Sequence, residues 1–181
     1  MIRWLTNRFL VRMGARYDYD VSYMQAMLQD APGAFFKFAK LFDLARHRDI
    51  APPAAIHAAK LVGAMAEDCG PCVQLVVNFA REAGVAPSDI SAVLRHDAEG
   101  MSADAALGFR FAEAVVWRLP EEDELRDAVR AQWGEKGVID LALAIAVGRV
   151  FPMTKAGMGY AKACQRVSVD GAPVDVLKRA A

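Results

Sequence analysis

The sequence predicts an all-α fold, a helical bundle built around two helices that meet at a turn containing two cysteines. Apolar residues recur at spacings of three and four along most of the chain, as at Ile2, Leu5, Phe9 and Met13, which is typical of amphipathic helices. Proline and glycine separate the helical segments, and no stretch shows the clear alternation of a half-buried strand. We therefore expect helices throughout and no β-sheet.

The first half of the chain contains five predicted helices. Residues 1–49 hold the first three, and Pro32-Gly33 separates the second from the third, which carries an aromatic stripe of Phe35, Phe38 and Phe42. Pro52-Pro53 begins the fourth, since proline is compatible with a first helical turn. Gly70-Pro71 interrupts the pattern, and the fifth helix follows over 73–83.

The second half continues with helices and ends in a tail without predicted structure. Its longer helices are expected over 102–117, 121–133, 138–151 and 155–167. The segment 138–151 is apolar on nearly every face, so we expect it to be the buried central helix. The predicted organisation is an N-terminal helical extension over 1–49, a helical domain over 50–168 and a loose C-terminal tail over 169–181.

Composition narrows the functional classes. Lys and Arg total 22 and balance 22 Asp and Glu, whereas a nucleic-acid binder normally carries a basic excess, so nucleic acid is not an expected partner. The longest apolar run is far shorter than the roughly 20 residues of a transmembrane helix. Arginines interrupt the N-terminal segment before a signal-peptide core can form, and three cysteines do not make a secreted disulfide framework. We therefore expect a soluble cytoplasmic protein.

The predicted first helix is basic and amphipathic. Arg3, Arg8, Arg12 and Arg16 precede the first acidic residue, Asp18, and aromatic side chains lie among them. Such a helix can lie on a membrane surface or drape over a neighbouring subunit. We favour the subunit contact because the zero net charge adds little attraction to anionic lipid, and a weak membrane contact through 1–16 is the alternative.

Cys69-Gly70-Pro71-Cys72 is the strongest chemical signal in the sequence. Two cysteines at this spacing can close a disulfide, and at the start of a helix the free N–H groups and the helix dipole stabilise the reactive thiolate. Glu67 and Asp68 lie just before the pair and would oppose thiolate formation unless they point away. The alternative is a pair of buried structural cysteines, because free cysteine is commonly buried.

Other uses of the pair fit less well. Haem attachment needs a histidine directly after the second cysteine, but Val73 stands there. A structural zinc site needs four ligands, and the sequence has only one such pair. We therefore expect no metal and no cofactor. Cys164, in the predicted last helix, is expected to be a packed small side chain.

The same four residues form the thioredoxin active site, but there a strand precedes the motif, whereas 54–66 reads as helix. From about residue 50 to 151 the chain resembles the alkyl hydroperoxidase D / carboxymuconolactone decarboxylase superfamily. The resemblance rests on Ala66-Glu67-Asp68 before the cysteines, the sequence FAREAGV from Phe79, PSDI from Pro87 and FRFAEA from Phe109. It implies an all-α fold, trimers or larger rings, and thiol peroxidase or disulfide-exchange activity.

One part of the family pattern is not reproduced. Peroxidase members carry a glutamate twelve positions before the first cysteine and a histidine four after the second, where this sequence has His57 and Val76. If the two helices fold back around the turn, His57 faces Val76 and can bring an imidazole to the place of the family's proton relay. The alternative is a histidine that only packs. Lys60, one turn nearer the cysteines, could favour a thiolate but is more often solvated.

The expected function is that of a thiol-dependent peroxidase or disulfide oxidoreductase with Cys69, Cys72 and His57 as catalytic residues. Its partners would be a peroxide or disulfide substrate, an external dithiol reductant and further copies of the chain, as a trimer or hexamer. The resemblance implies that a more buried Cys72 meets peroxide and Cys69 faces the reductant. Two alternatives remain, a non-catalytic helical oligomer with redox-sensing or structural cysteines, and a carboxymuconolactone decarboxylase-like enzyme, whose activity would not explain the cysteine pair.

Overall fold

The computed structural model describes residues 2–161 and 166–177, and most of them are helical. Cys164 lies outside the described residues, so its predicted role stays a prediction. In chain order the elements are α1 (Ile2–Tyr17), α2 (Ser22–Asp30), α3 (Pro32–Phe38), α4 (Leu41–Arg46), α5 (Pro53–Ala66), α6 (Gly70–Glu82), α7 (Pro87–Leu94), a 3₁₀ turn (Ala98–Gly100), α8 (Ala103–Trp117), α9 (Glu122–Gly157), β1 (Arg166–Val169) and β2 (Ala172–Asp175). The all-α class is confirmed.

Helices α5, α8 and α9 form the bundle core, which is rich in alanine and aliphatic side chains. Glycine brings their backbones close together. A Cβ on Gly148 of α9 would lie 2.5 Å from the Lys60 carbonyl oxygen on α5, and one on Gly108 of α8 would lie 2.5 Å from the Ala55 carbonyl oxygen. Both distances are shorter than a van der Waals contact, so this packing requires glycine at the two crossings.

Helix α9 combines two of the predicted helices. The break expected near Gly134 and Gly137 is a local kink at Gly134, whose φ of 68° is left-handed and favours glycine. Beyond it, Leu141 and Ile145 are buried, but Ile139 is 53% exposed, so the expected central helix buries one face only. By length and composition α9 is the one helix in the described parts of the chain that could cross a membrane, and its inner face is part of the bundle core.

The prediction of no strand is wrong for the C-terminal segment. β1 and β2 pair as an antiparallel hairpin, with Val167 opposite Val174. Asp170 and Gly171 both have positive φ, and Asp-Gly is a favoured two-residue hairpin turn. Instead of continuing as a helix over 155–167, α9 ends at Gly157, and 172–175 forms a strand where a loose tail was expected. The Val167, Val169 and Val174 side chains join the bundle core, which explains why such short strands are stable.

The first three helices cover the cysteine turn, and we call α1, α2 and α3 with their loops the N-terminal cover. Its buried side chains form a second apolar cluster with the two cysteines. Gly14 lets the chain fold back closely after α1, since a Cβ there would lie 2.9 Å from the Tyr19 carbonyl oxygen. We call this second apolar cluster the cysteine cluster; it contains Leu10, Tyr19, Val21, Tyr23, Met24, Leu28, Phe35, Cys69 and Cys72.

The aromatic stripe predicted for one helix is divided between two. Residues 39–40 turn the chain between α3 and α4, so Phe35 and Phe38 lie on the first and Phe42 on the second. Phe35 is buried in the cysteine cluster. Phe38 and Phe42 pack against Phe151 of α9, with ring centroids 5.3 and 5.6 Å apart. Phe38 thus joins the N-terminal cover to α9, and Phe42 joins α4 to the same helix.

Candidate redox site

The α5–α6 hairpin places the two cysteines at the first turn of α6. Asp68 takes a left-handed conformation, with φ at 49°, and reverses the chain after α5. Cys69 then caps α6, and its carbonyl oxygen accepts the Val73 N–H. Cys72 lies in the first helical turn, where backbone N–H groups have no partner within the helix. The pair is joined in a disulfide, with Cα atoms 5.2 Å apart.

Both cysteines are enclosed by the protein. Cys69 is 1% exposed and Cys72 is 4% exposed. The resemblance implied that Cys72 is the more buried and that Cys69 faces outward, but in the disulfide form neither sulfur is open to solvent and Cys69 is slightly the more enclosed. The N-terminal cover supplies most of this shielding through the cysteine cluster. Access of a reagent to the pair is therefore expected to depend on the N-terminal cover.

Tyr19, which the sequence did not single out, contacts Cys72. Its hydroxyl oxygen lies 3.7 Å from Cys72 Sγ, within hydrogen-bond range for sulfur, and both side chains are buried. Burial raises the pKa of Tyr19, although a hydrogen bond with Tyr23 opposes that rise. Tyr19 lies in the α1–α2 loop, and a tyrosine in a loop carries no periodic or motif signal that could have indicated this contact.

Lys155 of α9 is the second unpredicted residue beside the site. Its side chain is 1% exposed, and its ammonium lies 4.6 Å from the centre of the Tyr19 ring and 5.8 Å from that of Tyr23. Asp20 provides the opposite charge, with one carboxylate oxygen 3.6 Å and the carbonyl oxygen 3.3 Å from Lys155 Nζ. A buried lysine requires such compensation, and here aromatic faces and a carboxylate provide it.

Glu67, one of the two acidic residues just before the cysteines, has an ion-pair partner. The Glu67 carboxylate accepts a hydrogen bond from Arg149 Nε at 2.7 Å. This ion pair joins the turn to α9 and reduces the repulsion that the Glu67 charge would exert on a thiolate. The opposition expected from Glu67 is therefore partly neutralised by a residue distant in the sequence.

His57 is buried in α5 at 8% exposure, and its Nδ1 has no hydrogen-bond partner. Burial lowers the pKa of His57 to about 3, with further lowering from Lys60 and Arg48, so the imidazole is neutral. Nine residues separate it from the end of α5, which is about 13 Å of helical rise. No hydrogen bond or ion pair among the described residues joins it to Cys69 or Cys72.

The charge of Lys60 acts on His57, and no hydrogen bond among the described residues joins Lys60 to the cysteine pair. Its ammonium donates to the Ala45 carbonyl oxygen at 2.7 Å. Burial, together with Arg48, lowers the pKa of Lys60 to about 8.

Within residues 2–161 and 166–177, no group of three or more His, Cys, Asp and Glu side chains is arranged to hold a metal ion.

Residues 33–120 match the model of the carboxymuconolactone decarboxylase family. No curated protein and no solved structure matches the chain. The matched segment runs from α3 to just past α8, so it includes Cys69, Cys72 and His57 but neither Tyr19 nor Lys155. It starts earlier and ends earlier than the resemblance described above. This match confirms the predicted resemblance: over residues 33–120, the chain is similar to the carboxymuconolactone decarboxylase family.

Proposed function

We propose that the protein is a thiol-dependent peroxidase or disulfide oxidoreductase that cycles between a Cys69/Cys72 dithiol and a disulfide. The observation that carries the proposal is the placement of this pair at the first turn of α6, joined in a disulfide. Free backbone N–H groups and the helix dipole favour a thiolate at Cys72 in the reduced form. Similarity to a family whose members with this pair include peroxidases supports the same activity.

The proposed cycle begins with attack of the Cys72 thiolate on a peroxide oxygen. An S–O bond forms while the O–O bond breaks, and the electron pair departs on an alkoxide or hydroxide that takes up a proton. The Cys69 thiol then attacks the Cys72 sulfenic acid. An S–S bond forms, the S–O bond breaks, and the thiol proton leaves with the hydroxide as water. The dithiol is oxidised and the peroxide is reduced to an alcohol and water.

An external dithiol completes the cycle by thiol–disulfide exchange, becoming a disulfide as Cys69 and Cys72 are reduced. Such a reductant is available in a reducing compartment such as the cytoplasm. A homo-oligomer, as a trimer or hexamer, belongs to the same proposal. It would give a partner surface to exposed apolar side chains of α9 such as Ile139 and Met153, each more than half exposed in the protomer.

His57 is kept in this proposal as the candidate proton acceptor. Its support is a buried neutral imidazole with an unpartnered Nδ1 on the helix that leads into the cysteine turn. With its pKa near 3, the imidazole is a weak base at neutral pH, and proton transfer is most efficient when the pKa lies near the working pH. We therefore expect that proton transfer by His57 requires a second residue beside the cysteines.

Thiol counting tests the cycle directly. One equivalent of hydrogen peroxide should remove two thiols per reduced chain, and digestion without reductant should yield a peptide linked through Cys69 and Cys72. Dithiothreitol should restore both thiols and sustain peroxide consumption over many turnovers. Cys72→Ser should abolish consumption, whereas Cys164→Ser serves as the matched control and should retain it. If Cys69 and Cys72 stay free while Cys164 reacts, the proposal is wrong.

A non-catalytic disulfide is the second candidate, favoured by the enclosure of both sulfurs. A pair that only stabilises the fold or senses redox state would form its disulfide once, without consuming further peroxide when dithiothreitol is present. The turnover number in the same experiment therefore separates the two. Many equivalents of peroxide consumed per chain support the enzyme, and about one equivalent supports the structural or sensing role.

A further inference from the structure

We propose that the Tyr19 hydroxyl holds the Cys72 sulfur by a hydrogen bond and gives its proton to the departing oxygen of the peroxide, and that Lys155 supports the negative charge on this pair. The inference rests on the proposed dithiol cycle and names the group that would supply its first proton. It assigns roles to residues on two elements outside the matched segment 33–120, the α1–α2 loop and α9.

The Tyr19 contact has the geometry that this role requires. The 3.7 Å between its oxygen and Cys72 Sγ is a hydrogen-bond distance for sulfur, and the two atoms come from elements 53 residues apart. The raised pKa of Tyr19 keeps the phenol protonated at neutral pH. Tyr19 is therefore a donor to a thiolate, not a base. A hydrogen bond to a thiolate is stronger than one to a thiol, so this contact favours the reactive form.

Lys155 places a positive charge in the same enclosed space. Its ammonium lies 4.6 Å from the centre of the Tyr19 ring, and the side chain is 1% exposed. The side chain of Asp20, which pairs with it, is 39% exposed, so the opposing charge is the better solvated of the two. Other titratable groups near the site are Tyr23, the Glu67–Arg149 pair and Asp68, together with Tyr17 and Tyr160, which pack against the cysteine cluster. Asp20 adds to the raised pKa of Tyr19 and so opposes a phenolate; in the proposal the less hydrated Lys155 ammonium is the charge that favours a thiolate and a phenolate beside it.

The proposed step balances. The Cys72 thiolate takes a peroxide oxygen, and the alkoxide that departs accepts the Tyr19 proton to become an alcohol. The Tyr19 phenolate that remains is stabilised by the Lys155 ammonium and by the hydrogen bond with Tyr23. The Cys69 thiol then closes the disulfide, its proton leaving in water, and the phenolate regains a proton from solvent. In this step the Tyr19–Lys155 pair supplies the proton that the family's relay would supply, a relay that His57 and Val76 do not reproduce.

Tyr19→Phe is the decisive variant because it removes one oxygen and keeps the ring over Lys155. It should raise the pKa of the Cys72 thiol by about one unit, because one hydrogen bond to a charged group is lost. Thiolate absorbance in a Cys69→Ser, Cys164→Ser background measures this pKa. With both cysteines of the pair present, it should slow oxidation by peroxide about 100-fold, the lower range of acid catalysis. Tyr17→Phe is the matched control, since its hydroxyl contacts Glu82, and should leave both quantities within twofold of the parent.

A series of hydroperoxides separates proton donation from simple positioning. In the parent, the rate should depend weakly on the acidity of the departing alcohol, because Tyr19 protonates it. In Tyr19→Phe the dependence should become steep, which a purely structural role would not produce. If the dependence of the rate on alcohol acidity and the Cys72 thiol pKa are both the same in Tyr19→Phe as in the parent, the inference is overturned, while the dithiol cycle is unaffected. Failure of the parent protein to turn over peroxide would instead overturn the proposed function.

Lys155 is tested as a charge. Lys155→Met should raise the thiol pKa and slow the reaction at least tenfold, whereas Lys155→Arg should retain most of the rate because it keeps the cation. Helix content by circular dichroism identifies a variant that fails to fold. If Lys155→Met fails, the comparison of Lys155→Arg with Lys155→Gln replaces it. Equal thiol pKa values in the cationic and neutral variants would remove Lys155 from the mechanism.

Discussion

The bundle core and the cysteine cluster are built from different side chains, and the difference corresponds to what each region does. The bundle core consists mainly of alanine, valine, leucine and isoleucine packed across close glycine crossings. The cysteine cluster contains tyrosine, phenylalanine, methionine and the disulfide, with the buried Lys155 against it. A close-packed aliphatic core specifies one rigid arrangement, whereas the cysteine cluster adds tyrosine hydroxyls and a neighbouring lysine charge to its apolar side chains.

The two regions also differ in their relation to the family. The hairpin that carries the cysteines lies within the matched residues 33–120, but the side chains that enclose the sulfurs come largely from α1, α2 and the loop between them. The matched segment thus carries the cysteine pair, and in the proposed mechanism the flanking segments control access to it and supply its proton donor. Variants in each region should therefore affect different properties.

The largest effect is expected from Phe35→Ala in the cysteine cluster. Phe35 is 1% exposed, and truncation of a buried phenylalanine typically costs about 4 kcal/mol of unfolding free energy. Because Phe35 packs in the N-terminal cover, the variant should also expose the disulfide, so that a phosphine reductant reduces it at least tenfold faster. Urea denaturation and timed thiol release measure the two effects. Reduction at the parental rate would show that the cover does not control access.

Gly148→Ala should cause a slightly smaller loss, confined to the bundle core. Its Cβ would lie 2.5 Å from the Lys60 carbonyl oxygen, and overpacking of this kind costs about 3 kcal/mol. The thiol pKa and the rate of disulfide reduction should stay at the parental values. Gly157→Ala is the control on the same helix, since a Cβ there would meet nothing within 4 Å. A comparable loss of stability in Gly157→Ala would contradict the close-crossing argument.

At neutral pH the smallest effect on stability is that of His57, and it grows as the pH falls. Because the folded-state pKa, about 3, lies below the unfolded value of about 6.5, the unfolded chain binds a proton first as pH falls. His57 therefore reduces stability progressively below about pH 6.5, by up to about 1.4 kcal/mol per pH unit. His57→Gln should remove that slope between about pH 6.5 and 4, measured by urea denaturation of parent and variant at each pH.

The same variant tests the catalytic role predicted for His57. A peroxide reaction slowed at least tenfold at pH 7, with the oligomer and helix content unchanged, would assign it a part in proton transfer beside Tyr19. A rate within about twofold of the parent would remove His57 from the mechanism. The kinetic and thermodynamic measurements are independent, since the pH slope depends on burial of the imidazole and on the nearby charges of Lys60 and Arg48, not on a reaction with peroxide.

The C-terminal hairpin is the element whose sequence signal is weakest. Val167 and Val169 alternate with polar residues, and Asp170-Gly171 follows them directly, which is a recognised hairpin signal. The strands are four residues each, so the alternation is too short to stand out in a chain dominated by helical periodicity. Burial of three valines against the helices supplies the stability that a two-stranded hairpin lacks by itself.

By itself, the sequence determined the helical class, the hairpin with its cysteine pair, and the family resemblance, because periodicity, proline and glycine positions and a four-residue motif are local properties of the chain. The tertiary structure alone decided which side chains meet the sulfur. Tyr19 and Lys155 are 53 and 83 positions from Cys72, and neither stands at a spacing that indicates a contact with it. Their convergence follows from how α1, α2 and α9 pack around the turn, since side chains distant in sequence are brought together only when the whole core forms.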